Sequence, residues 1–113
     1  MVSVDELMRM LIKGRLECYV KKSSTYNPYT KSVLYDWGFK LQIGDLLFTD
    51  SYRGFNPYSG VEYIYENNNN IPIWTCDYVG YVNSCVSGEE VYRLLKEARK
   101  NYLKNCNLYK CLM

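Results

Sequence analysis

Two helix-start signals bracket this chain and leave its middle to form something else. They are Ser3-Val4-Asp5-Glu6 near one end and Ser87-Gly88-Glu89-Glu90 near the other. In each, a serine at the N-cap and an acidic residue three positions on can satisfy each other's orphan amides as a capping box. After the first, Leu7, Met8, Leu11 and Ile12 recur at helical spacing, and Gly14 stands where a left-handed C-cap would close the helix. After the second, Val91, Leu94, Leu95, Ala98 and Tyr102 form one apolar stripe. Arg93, Lys96, Arg99, Lys100 and Lys104 lie off that stripe. They read first as a solvated face whose cations oppose the helix dipole, and second as a basic docking surface.

The residues between the two helices alternate with a strand period. From Arg15 to Lys22, Leu16, Cys18 and Val20 alternate with polar neighbours, which predicts a half-buried strand. Lys22 to Ser32 is rich in turn residues and is expected to be a loop exposing Tyr26 and Tyr29. Strand-like runs follow at Val33 to Trp37, Phe39 to Ile43, Leu46 to Arg53 and Gly60 to Val82, punctuated by Gly38, Gly44, Gly54, Gly60 and Gly80. The asparagines at 67 to 70 tolerate left-handed backbone and read as a hairpin loop within the last run. Pro72 is expected at a strand start or on an edge. The expected fold is therefore α+β: one domain over residues 1–113, an antiparallel sheet of about five strands packed with an N-terminal and a C-terminal helix.

Composition removes much chemistry. Histidine is absent, which excludes imidazole bases, imidazole metal ligands and the Ser-His and Cys-His nucleophile systems. The cysteines at 18, 76, 85, 106 and 111 never form C-x-x-C pairs, so neither a metal nor any other cofactor is expected. They read as mostly reduced thiols, with Cys106 and Cys111 the pair expected to bridge if the host is a hyperthermophile. A net charge of +2 argues against nucleic acid as a partner. No apolar run reaches the roughly 18 residues of a membrane span, and Asp5 and Glu6 stand where a signal peptide would be basic and then apolar. A cytoplasmic protein with no membrane partner is expected. Thirteen tyrosines, ten asparagines and the single alanine Ala98 fit an A/T-rich genome, as in many bacteria, archaea and their viruses.

The stretch Gly44-Asp45, Asp50-Ser51-Tyr52-Arg53-Gly54, Ser59 to Tyr65 and Pro72-Ile73-Trp74, leading to Tyr78 and Gly80, resembles an uncharacterised prokaryotic domain family of unknown function. Its pattern runs G-D-x-x-Y-x-D-x-Y-x-G, then G-x-E-x-V-Y, then P-I-W-x-M-x-Y-x-G, and some members carry the domain behind a helix-turn-helix. This chain departs from the pattern at Phe48, Ile64 and Cys76, where Tyr, Val and Met are usual, and has no preceding helix-turn-helix. The resemblance implies a fold and a candidate site but no reaction.

A hairpin closed by the asparagines, with paired residue numbers summing to about 137, places Tyr63 opposite Trp74, Glu62 opposite Thr75 and Tyr65 opposite Pro72. Glu62, Ile64, Ile73, Thr75 and Asp77 then share one face, and Val61, Tyr63, Tyr65, Trp74, Cys76 and Tyr78 the other. A turn at Asn56-Pro57 brings Asp50 and Tyr52 beside Glu62, so that Asp50, Glu62 and Asp77 can converge. Converging carboxylates can work as acid and base or hold a cation, or they can simply pair with Arg15 and Arg53. The loop from Ser51 to Tyr58 interleaves aromatics with Arg53, a composition suited to a flat ligand, or else tucks Phe55 and Tyr58 into the core. The candidate ligand-binding residues are Asp50, Tyr52, Arg53, Glu62, Tyr63, Tyr65, Trp74 and Tyr78. They point first to a non-enzymatic module binding a small molecule or a protein through a Tyr- and Trp-rich sheet. The alternatives are a small enzyme using Asp50 and Glu62, and a homodimeric assembly protein.

Overall fold

The structure, a computed structural model, describes residues 2–105. Helix α1 (Val4–Arg15) begins as expected: the Ser3 hydroxyl accepts from the Glu6 amide at 3.1 Å and donates to the Glu6 carboxylate at 3.2 Å. It does not stop at Gly14. The helix runs on into a π-helical turn, Leu16–Val20, so the strand expected from Arg15 to Lys22 is helical. Two forces override the strand-like alternation. Glu17 bonds Lys13 and Lys21 at 2.8 Å each, pairs that only helical spacing brings together. Gly14 lies under the Phe48 ring, where an added Cβ would come within 2.5 Å of ring carbons. The glycine thus serves close helix–sheet approach rather than termination.

The five strands are β1 (Thr30–Lys31), β2 (Trp37–Ile43), β3 (Leu46–Gly54), β4 (Tyr58–Glu66) and β5 (Trp74–Gly80), paired antiparallel in sequence order. Helix α2 (Gly88–Asn105) follows. The expected α+β architecture is present, with a second departure inside it: Val33 to Asp36 is a bend with Val33 and Leu34 exposed, and the short β1 supplies the edge strand instead. The asparagine tract does close the β4–β5 hairpin, with Asn67 and Asn68 at positive φ.

The face of the sheet under α1 and the π-turn carries Phe48, Ile64, Trp37, Phe39, Leu41 and Trp74, packed with Met10, Leu11, Cys18 and Tyr29. Phe48 and Ile64 are wholly buried. Helix α2 meets the rest mainly at the π-turn. Most of its apolar stripe does not pack: Val91, Leu94, Ala98 and Tyr102 are exposed and Leu95 is half-buried, while Tyr92, Lys96 and the buried Leu103 make the inward contacts. No helix among the described residues is long and apolar enough to cross a membrane.

Candidate functional site

The β3–β4 register brings the two central carboxylates side by side. Asp50 pairs with Glu62, Tyr52 with Gly60 and Phe48 with Ile64. All project to the helix-covered face. The β4–β5 hairpin is one residue off the expected register, pairing Tyr63 with Thr75, Ile64 with Trp74 and Glu62 with Cys76. The loop is asymmetric: the Asn67 amide turns back to the Asp45 carbonyl, and the Ile73 amide reaches the Ile64 carbonyl before β5 begins. Because side chains alternate with period two, this slip carries Trp74, Cys76 and Tyr78 onto the face of Glu62. Tyr63, Tyr65, Arg53 and Asp77 fall on the opposite, outer face. The expected convergence of Asp77 with the other two carboxylates does not occur.

Asp50 and Glu62 are each only 5% exposed, and their surroundings differ. Glu62 accepts a two-pronged ion pair from Arg15, Nε at 3.0 Å and the terminal nitrogen at 2.8 Å, and the indole N–H of Trp74 at 3.3 Å. Asp50 has no cation among the described residues. The Tyr29 hydroxyl donates to Oδ2 and the Tyr78 hydroxyl to Oδ1, both at 2.6 Å, and the Cys18 thiol approaches Oδ2 at 3.8 Å. Distances of this size are typical of hydroxyls on an ionised acceptor. Burial pushes the Asp50 carboxyl above the ordinary carboxylate range and the Glu62 charge adds to this, against the pull of the tyrosine hydroxyls. Burial also raises Tyr29 and Tyr78, reinforced by the Asp50 charge, so both phenols keep their protons at neutral pH. The Cys18 thiol is pushed up to about 12, chiefly by burial and next by Asp50. It is a protonated donor there and no nucleophile.

Two glycines shape this floor. A Cβ at Gly60 would stand 2.4 Å from the Tyr78 hydroxyl oxygen, so the bare backbone lets that ring cross β4 to Asp50. A Cβ at Gly80 would stand 2.1 Å from the Tyr58 ring, which lies over β5 in the same way. Both rings line what opens above.

A cleft of about 690 Å³ lies between this floor, the π-turn and α2. Of the eight residues expected to bind ligand, Asp50, Tyr52, Glu62 and Tyr78 line it. Trp74 sits beside it in the core, holding Glu62. Arg53 lies instead over the Tyr35 ring at 4.6 Å, and Tyr63 packs on Tyr65 at 5.7 Å, both pairs away from the cleft. The loop aromatics are not core: Phe55 is exposed and meets Tyr92 edge-on at 5.0 Å, and Tyr58 meets Tyr92 at 5.3 Å. Arg15, Cys18, Tyr19, Lys22 and Tyr29 join the lining from the first thirty residues. Tyr29, expected to be exposed, is 5% exposed because its hydroxyl is drawn under the sheet by Asp50. From α2 come Tyr92, Arg93, Lys96 and Arg99. No group of three or more potential metal ligands stands together among the described residues. Cys106 and Cys111 lie outside the described residues.

No curated protein and no solved structure matches the chain. A family model does, over residues 50–111, a stretch that starts at Asp50 and takes in β4, β5 and α2. More than half of the chain is covered, and the protein belongs to the family described as a domain of unknown function, DUF5680.

Proposed function

We propose that the chain is a non-enzymatic binding module that takes a small molecule into the cleft between its sheet and α2. The observation that carries this reading is the cleft itself. Its volume of about 690 Å³ falls in the usual range for small-molecule sites, and its walls are aromatic with a few convergent polar groups. The floor supports binding over catalysis. Both Asp50 oxygens are occupied by tyrosine hydroxyls, Glu62 is held by Arg15, and the buried thiol stays protonated. An enzyme using Asp50 and Glu62 as an acid–base pair would first have to break those contacts.

Native mass spectrometry of protein purified without denaturation tests the reading. The expected spectrum shows an adduct of defined small mass, diminished in Ala98→Trp, a substitution that fills the cleft from exposed Ala98 on α2. An adduct retained in full by that variant would place the ligand elsewhere. A clean apo mass at dimer size would replace the reading with protein interaction.

A further inference from the structure

The charges lining the cleft are unevenly answered. Arg15 is paired with Glu62. Lys22, Arg93, Lys96 and Arg99 also border the cleft, and none of them has a carboxylate partner among the described residues. The Lys22 ammonium lies 5.7 Å from the Tyr52 ring centre and donates to the Tyr52 hydroxyl at 3.0 Å. Lys96 donates to the Lys22 carbonyl at 2.7 Å and lies 5.3 Å over the Tyr19 ring, with the Arg99 guanidinium 5.5 Å over the same ring. An ammonium has three donors, and one is used in each lysine. The three cations are thus gathered on neutral partners, at one side of the cleft. Burial pushes Lys96 below its ordinary value, and the Lys22 charge lowers it further. An arriving anion would relieve that repulsion. Beside them runs a row of rings: Phe55, Tyr92, Tyr58 and Tyr78 in successive contact at 5.0, 5.3 and 6.1 Å. Neutral aromatic faces next to unanswered cations suit a flat ring bearing a negative group.

From this geometry we infer that the ligand is a planar aromatic anion, its ring against Tyr58 and Tyr78 and its charged group on Lys22, Lys96 and Arg99. The inference rests on the cleft being the ligand site and names the class of ligand it takes. A carboxylate and a phosphate offer the same chemistry to these donors. A cationic ligand is the poorer fit: the floor carboxylates of Asp50 and Glu62 are buried with their oxygens already engaged, and the remaining lining carboxylate, Glu89, is outnumbered by Lys22, Arg93, Lys96 and Arg99.

The test is calorimetric titration with three probes sharing one ring: naphthalene-2-carboxylate, naphthalene-2-methanol and naphthalene-2-methylammonium, with inorganic phosphate as a ringless anion. The carboxylate should bind at least tenfold more tightly than the alcohol, and the ammonium should bind least. Inorganic phosphate should be weaker than the carboxylate. Arg99→Gln and Lys96→Gln should each erase most of the carboxylate-over-alcohol preference while the alcohol's affinity stays within about twofold, a pattern that loss of structure would not produce. Equal or tighter binding of the alcohol or the ammonium would overturn the inference, as would no binding of any probe. The cleft reading would still stand if Ala98→Trp displaced the native adduct, so the two failures are distinguishable.

Discussion

The floor of the cleft and its α2 wall are built in opposite ways. At the floor, Phe48 and Ile64 are wholly buried, and Asp50 and Glu62 are enclosed with every polar atom engaged. Among the described residues no buried side-chain polar atom lacks a partner. The wall is held by fewer apolar contacts, chiefly Leu103 and the edge-on meetings of Tyr92 with Phe55 and Tyr58, and by polar ties: the Tyr19 hydroxyl to the Tyr92 carbonyl, the Tyr92 hydroxyl to the Asn56 side chain, and Lys96 to the Lys22 carbonyl. On α2, Leu94 is 55% and Tyr102 59% exposed. Burial of apolar surface is the dominant stabilising term, so the floor carries the stability and the wall carries adjustable side chains. For the proposed binding role, this gives a preorganised base and a side able to settle onto a ligand.

Substitutions can break the contrast, and Phe48→Ala should act most strongly. It empties the centre of the core and should cost about 3–5 kcal/mol in urea unfolding. Glu62→Gln should cost about 2–3 kcal/mol, because it leaves Arg15 partly buried without its partner. Restoring neutrality with Arg15→Met in the same chain should recover part of that loss. A smaller effect, dependent on pH, is expected at Asp50. Folded Asp50 holds its proton more tightly than in the unfolded chain, so its contribution is most favourable below the unfolded value of about 3.9. Stability should then fall as pH rises through the raised folded value, by at most about 1.4 kcal/mol per pH unit for one proton. The half-buried Glu17, lowered by Lys13 and Lys21, acts in the opposite sense. The profile of Asp50→Asn subtracted from that of the wild type isolates the Asp50 part, and a flat difference would contradict its raised value. Leu94→Gln, on the exposed stripe of α2, should shift stability by no more than about 0.5 kcal/mol. A cost like that of Phe48→Ala would show that the wall is packed as firmly as the floor.

The sequence displays the parts of the fold that depend on local chemistry. Ser3 and Ser87 mark both helix starts, the glycines and the asparagine tract mark the turns, and the Asn56-Pro57 turn is enough to place Asp50 beside Glu62. What is not displayed depends on contacts far along the chain. The alternation at Leu16, Cys18 and Val20 looks like a strand, and only the Lys13-Glu17-Lys21 spacing speaks for a helix there. Gly14 resembles a C-cap until Phe48, thirty-four positions away, needs its missing Cβ. The slip of one residue at the β4–β5 hairpin is decided by the backbone bonds of Asn67 and Ile73, and it alone separates Tyr63 and Tyr65 from Trp74 and Tyr78. Of the site, the sequence yields Asp50, Tyr52, Glu62 and Tyr78. Tyr29 and Cys18 carry no mark that sets them apart from the other tyrosines and cysteines, because a buried acid recruits them from a loop and a helical turn. Gly60 and Gly80 read as punctuation, although their role is to let two rings cross the sheet.

Hydrogen–deuterium exchange with and without naphthalene-2-carboxylate would reveal a ligand held between a fixed floor and a yielding wall. In the free protein, β3 and β4 amides should exchange only on global unfolding, and α2 amides much faster. The probe should slow exchange in α2 and at the π-turn, leaving the outer face of the sheet around Tyr63 and Tyr65 unchanged. An α2 already as protected as β3, or protection gained on the outer face instead of α2, would contradict the account.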